Sequence, residues 1–145
     1  MDINFIIDHI RNRPYMSGVD RDRIRVKQTE EIFTPTDVVI ENLNLFEKEN
    51  PGCFSDPTKT FIDNCGGDGQ WLGEVLIRKI ENGIDFETAL STIYGVDTMQ
   101  DNVELCRERL LCGREDLRHI VTTNIVCHNA LEYDYSFNGT NKTDE

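Results

Sequence analysis

Three polar residues of this chain stand where short apolar runs end, and one of them opens a turn rich in glycine. Asp63 closes Thr60-Phe-Ile-Asp63, Asp97 closes Thr92-Ile-Tyr-Gly-Val-Asp97, and Asn129 follows Asn124-Ile-Val-Cys-His128. After Asp63 the chain reads Asn64-Cys-Gly-Gly-Asp-Gly69 and then Gln70-Trp-Leu-Gly-Glu-Val-Leu-Ile77, a helical pattern. Strand, glycine turn and helix together make a place where a ligand can approach bare backbone amides, next to the partial positive charge of a helix N-terminus. A carboxylate in the position of Asp97 can accept hydrogen bonds from both hydroxyls of a ribose, and it is equally able to cap the next helix. Asn129 carries both a donor and an acceptor, which is what pairing with the edge of an adenine requires; it is also an ordinary turn residue. Thr98 and Met99, beside Asp97, would wall the ring. The chemistry indicated is recognition of a nucleoside-bearing ligand.

The turn discriminates between such ligands by charge. A dinucleotide fingerprint would read G-x-G-x-x-G, whereas here Asp68 lies inside the turn and Leu72 stands three residues after Gly69. An acidic turn receives a pyrophosphate poorly and a sulfonium or amino group well, so S-adenosylmethionine is expected rather than NAD. Trp71 reads as core or rim rather than as a stacking group, and His128 as the cap of a strand end.

The elements that must position these groups follow from periodicity and breakers. Ile3, Phe5, Ile6, Ile7 and Ile10 place a short amphipathic helix over residues 2–12. A loop over 11–18 and a basic cluster, Arg21, Arg23, Arg25 and Lys27, come next; the cluster is either a solvated segment or a phosphate- or partner-binding edge. Thr34 or Thr36 can cap a helix that begins around Pro35 and ends at Asn50-Pro-Gly52. Strands are expected at 60–63, 92–96 and 124–128, with helices from Gln70 to Asn82, from Asp85 through Leu90, and from Thr98 or Asp101 to Cys112-Gly113. One more turn is expected over Glu115–His119, and a polar, disordered tail from Gly139. The order β-α-β-α-β implies a parallel sheet covered by helices, whose ligands sit at the carboxyl ends of the strands. Asp63, Asp97 and His128-Asn129 all fall there.

Composition sets outer limits. A chain of 145 residues with 38% apolar content suits one domain with a modest core. The five cysteines are odd in number and lack zinc or disulfide spacing; with an acidic N-terminus in place of a basic leader, they suggest a reduced, cytoplasmic setting. The sequons at Asn138 and Asn141 are then chance matches. No apolar run is long enough for a membrane span. A net charge of −12 disfavours a free-standing nucleic-acid binder.

At this point four segments resemble, in order, the S-adenosylmethionine-dependent DNA methyltransferases that modify adenine N6, of the restriction-modification and phage-encoded type. Phe33-Thr34-Pro35-Thr36-Asp37-Val38-Val39 resembles the family's F-x-P/T-P-x-x-V-V segment, which covers the methionine end of the cofactor. Asp63-Asn-Cys65-Gly-Gly67-Asp-Gly69 resembles its D-x-x-x-G-x-G loop, with Asn64 where proline is frequent. Tyr94-Gly-Val-Asp97 resembles the motif whose acid holds the ribose, and Asn124 to Leu131 the motif at the adenine, with Asn129 where the family often has Asp. The resemblance covers roughly residues 28–135. It implies a partial class I methyltransferase (Rossmann-like) α/β fold: a three-stranded parallel sheet, flanking helices and an N-terminal helical extension. The division expected is an N-terminal helix and basic linker over 1–27, the cofactor-binding domain over 28–137 and a disordered tail over 138–145. The cofactor residues implied are Phe33, Thr34, Pro35, Asp63, Cys65, Gly67, Gly69, Asp97, Thr98, Met99, Asn129 and Ala130. Function is then expected as part of, or derived from, a DNA adenine methyltransferase, expressed in a bacterial host if phage-encoded; the alternative is a non-catalytic cofactor-binding or interaction module, such as a partner subunit or an anti-restriction device that sequesters cofactor. Binding of nucleic acid is implied by the resemblance alone.

One departure is large. The family's catalytic Asn/Asp-Pro-Pro-Tyr/Phe segment is missing, since all four prolines precede the glycine turn. A fragment of a longer enzyme, a complete protein that works with a partner, and a repurposed module are the three expectations. With three strands, 60–63 would be an exposed apolar edge, and such edges invite pairing. The edge is expected to join a second copy or a partner subunit, or to be covered by the N-terminal helix or by Tyr133-Asp-Tyr-Ser-Phe137 as a short strand.

Overall fold

The computed structural model describes residues 2–12, 34–64 and 67–138. Phe33, Cys65, the basic cluster at 21–27 and the tail beyond Asn138 lie outside the described residues.

Helix α1 spans Ile3–Asn12 and buries Ile6 and Ile10, one helical turn apart. Helix α2 spans Thr36–Glu49 and turns Val39 and Leu43 inward. Neither threonine caps it. Pro35 occupies the N-cap position, and its carbonyl accepts from the amides of Val38 and Val39, both at 3.1 Å. The Thr36 hydroxyl serves a neighbouring helix instead. Strand β1, Phe61–Asp63, leads through the glycine turn into α3, Gln70–Glu81. A short helix α4, Phe86–Ser91, is capped by Asp85, whose Oδ2 accepts from the Thr88 amide at 3.0 Å. Strand β2, Ile93–Asp97, is followed by α5, Gln100–Leu111, which begins at Met99 with no side-chain cap. A 3-10 turn, Glu115–Leu117, then runs into α6, Arg118–Asn124, and β3, Ile125–Cys127. The β-branched run Ile-Val-Thr-Thr within α6 hides that helix from a propensity reading; packing of Val121 into the core overrides the local preference.

The three strands are parallel in the order β1-β2-β3. Phe61 pairs with Ile93, Gly95 with Ile125, and Asp97 with Cys127. Both crossovers advance across the sheet in the same direction, so the right-handed rule sends both connecting helices to one face. That face holds the main core: Leu72, Val75 and Leu76 of α3, Val103, Cys106 and Leu110 of α5, with Ile93 and Ile125 from the sheet. Among the described residues, helices therefore cover one face rather than two. On the other face Val96 and Val126 are covered by Tyr133, with Ala130 and Phe137 packed alongside. The segment 133–137 thus lies over the second face and forms no strand. Helix α1 packs on α3 and α5, away from β1. Among the described residues nothing pairs with the outer edge of β1, and Ile62 is 52% exposed there.

Lys79 fixes the entry to β1 from below. It is wholly buried, and its ammonium donates to the Lys59 carbonyl and the Thr92 hydroxyl, both at 2.8 Å, over the Phe61 ring. Burial lowers its pKa. Among the described residues no helix is long and apolar enough to cross a membrane.

Candidate functional site

The glycine turn meets the end of β2 directly. The amide of Gly67 donates to Oδ2 of Asp97 at 2.8 Å, across thirty positions of sequence, and the amide of Met99 donates to Oδ1 at 2.8 Å. One carboxylate thus joins the turn that leads into α5 to the turn after β1. Each carboxylate oxygen retains a further lone pair for a ligand hydroxyl. Asp97 does not cap α5, whose N-cap is Met99; its bond to the Met99 amide shapes the turn that leads into the helix.

Gly69 is the N-cap of α3, in the left-handed region at φ 92°. A Cβ at that position would meet Cys106 Sγ at 2.9 Å. The turn is therefore pressed onto α5, and glycine is required there for both conformation and space. Burial pushes the Cys106 thiol well above its ordinary range, and the carboxylates of Asp68, Asp63 and Asp97 add to that effect while Arg109 opposes it.

The structure changes the part assigned to Asp68. It is 2% exposed and forms an ion pair with the wholly buried Arg109, Nη1 to Oδ1 at 3.3 Å. Its charge is matched inside the protein and is not offered to a ligand. Any anionic character of the site comes from the strand-end acids Asp63 and Asp97. Arg109 escaped the sequence reading. Its signal is its position: it shares a helical face with Val103, Cys106 and Leu110, and a cation among apolar residues needs a buried partner.

The other expected residues assemble at the same end of the sheet. Gln70 Nε2 donates to the Thr36 hydroxyl at 2.7 Å, so the start of α2, with Thr34 and Pro35, is tied to the start of α3. The His128 amide donates to the Asp97 carbonyl at 3.0 Å, and its ring stacks on Tyr133 at 4.4 Å, which joins the ends of β2 and β3. Asn129 Oδ1 accepts from the Leu131 amide at 3.0 Å, a turn of the kind its residue type favours. The turn reading of Asn129 therefore holds, and Oδ1 keeps a second lone pair beside it. Thr98 is exposed, with its carbonyl facing Cys127 Sγ at 3.4 Å. Met99 is half-buried, and Ala130 packs with the second-face cluster while its carbonyl accepts from the Tyr135 hydroxyl at 2.8 Å.

A separate groove of about 520 Å3 opens between α2, β1 and α3, lined by Asn42, Phe46, Phe61, Ile62, Asp63 and Trp71 among others. It touches the strand-end cluster only at Asp63. Trp71 is thus a rim residue, as its position in the sequence suggests. Protein-family models, curated proteins and solved structures were each compared with the chain, and none matches.

Proposed function

We propose that the chain binds S-adenosylmethionine across the carboxyl ends of β1, β2 and β3, and that it is part of, or derived from, a DNA adenine-N6 methyltransferase. The observation that supports this most is the hydrogen bond from Gly67 to Asp97. It brings the turn and the ribose-type acid together, although nothing in the local sequence of either requires it. In this reading Asp97 receives the ribose hydroxyls and Asn129, with Thr98 and Met99, borders the adenine. Asp63 and the start of α2 face the amino-acid end. Gly67 and Gly69 leave room for the backbone of the turn to approach the ligand. The residues present fit such a ligand in kind: an acid with spare acceptor capacity, a left-handed glycine turn and an amide side chain stand on three adjacent strand ends. When bound, the cofactor would supply a methyl group on a sulfonium. No residue of this chain is assigned to the transfer itself, because the resemblance places that role on a segment not found in this sequence.

The second reading is a non-catalytic binding or interaction module of the same fold. It is favoured by the outer edge of β1, which has no partner among the described residues and offers a second copy or a partner subunit a strand to pair with. Titration calorimetry with S-adenosylmethionine, and with NAD as the control, tests the common part. Binding of the former and its loss in Asp97→Ala are expected, with the variant's fold checked by circular dichroism. Unchanged affinity in Asp97→Ala would overturn the ribose assignment. Transfer of a labelled methyl group to DNA by the purified chain separates enzyme from module.

A further inference from the structure

Arg109 holds four segments of the chain together at the turn. Its Nε donates to the carbonyl of Ile10 in α1 at 3.0 Å. Its Nη1 faces Asp68 in the turn at 3.3 Å, and its Nη2 donates to Gln70 Oε1, the first residue of α3, at 2.6 Å. Gln70 passes the connection on to Thr36 at the start of α2. Helix α1 lies close enough to make this possible because α3 has a glycine beneath it: a Cβ on Gly73 would meet Ile10 Cγ2 at 2.7 Å. Gly73 is also the residue whose amide donates to the Gly69 carbonyl at 2.7 Å, the first hydrogen bond of α3 after the turn. Arg11 seals the contact with a two-pronged ion pair to Glu74, itself 3% exposed, at 3.1 and 2.8 Å.

We infer that Arg109 is the positioning residue of the ligand turn and that α1, through the Ile10 carbonyl, holds Arg109 in place, so that docking of α1 sets the affinity of the site. A buried guanidinium stays in a low-dielectric place only while its donors are satisfied. Undocking α1 withdraws one of the acceptors and opens the arginine to water. Asp68 then loses a fixed partner, and the turn that presents Gly67 to Asp97 loses its fastening to α5. The coupling is reciprocal: a ligand that holds the turn holds α1 as well. The inference rests on the proposed ligand site for its consequence in affinity; its structural part stands without the ligand.

Two variants of the full chain test it. Arg109→Lys keeps the charge but cannot reach three acceptors at once, and Ile6→Asp unseats α1 from its buried face without touching the turn. Hydrogen exchange is read at the Gly67 amide, held by Asp97, with the Thr88 amide, held by Asp85, as a control of the same type outside the network. In both variants the Gly67 amide is expected to exchange at least about fivefold faster while Thr88 keeps its rate, and the affinity for S-adenosylmethionine to fall by at least about fivefold, the lower end of common coupling. Unchanged exchange at Gly67 in either variant overturns the inference, as does equal acceleration of Thr88, which marks general loosening. If the wild type binds no S-adenosylmethionine, the proposed function falls, and the exchange result alone decides the role of Arg109 and α1.

Discussion

Replacing Gly69 with alanine asks the turn to accept a methyl group that it has neither the backbone conformation nor the space to hold. Two costs arise and they are separable. At φ 92° an L-residue is in the left-handed region, which costs about 1–2 kcal/mol. The new Cβ also meets Cys106 Sγ at 2.9 Å, closer than side chains approach, and pushing that sulfur aside in a packed interior costs a further ~1–3 kcal/mol. Together these come to about 2–5 kcal/mol, a large part of the roughly 5–15 kcal/mol that holds a domain folded. Removing the sulfur isolates the first cost. In Cys106→Ala the nearest atoms of residue 106 to the new methyl are its Cα and Cβ at 3.5 Å, ordinary contact distances. A double-mutant cycle in urea therefore has a defined outcome: Gly69→Ala costs about 2–5 kcal/mol in the wild type but only ~1–2 kcal/mol in the Cys106→Ala background. Equal costs in the two backgrounds would refute the packing of α5 onto the turn. A cost below ~0.5 kcal/mol in both, the level of an ordinary surface change, would refute the left-handed turn itself.

Lys79 supplies a pH test. Burial lowers its pKa below the ordinary 10.5, so as pH rises through the interval between the two values the native state gives up its proton before the unfolded chain does. The unfolded state then binds more protons, and stability rises with pH in that interval. The stability of the wild type relative to Lys79→Met, measured by denaturant titration, is expected to increase as pH climbs toward 10.5; a flat or falling difference would contradict the assigned environment. The edge of β1 supplies another test. Ile62 is 52% exposed on a strand whose outer edge has no partner among the described residues, so Ile62→Lys should leave the fold intact and weaken association at that edge. Sedimentation at moderate salt is expected to show concentration-dependent association of the wild type that the variant lacks, and a wild type that stays monomeric at every accessible concentration would remove the edge as an interface.

The legible parts of this molecule are those in which the local signal and the packing agree. The strand before Asp63, the stop at Asn82-Gly83 and the cap at Asp85 could each be read from a few residues, and each has the structure its chemistry favours. The convergence of Asp63, Asp97 and Asn129 was legible for a topological reason, since parallel strands place their carboxyl ends together whatever lies between them. What could not be read depends on partners distant in sequence. Asp68 looks like an offered charge until Arg109, forty-one positions later, is seen against it. Thr36 looks like a helix cap until Gln70 takes its hydroxyl. The single turn expected over Glu115–His119 continues as α6 to Asn124, because that helix is buried against α4 and α5. The aromatic segment 133–137 alternates as a strand would, yet its rings find apolar surface on the bare face of the sheet rather than hydrogen bonds on its edge.

The unequal cover of the two sheet faces also sorts the chromophores. The sole tryptophan, Trp71, stands on the helical side, one residue past Gln70 and on the rim of the groove beside β1. Tyr94, Tyr133 and Tyr135 gather on the opposite side around Phe137, with ring centroids 4.8, 5.3 and 6.2 Å from it. Light absorbed or emitted by the indole thus reports on the turn and its helices, while these three of the four tyrosines stand on the face covered by the loop that follows β3. Among the described residues the indole and the phenols therefore stand on opposite sides of a sheet three strands wide, so a change confined to one face alters one set of bands and spares the other, without a label.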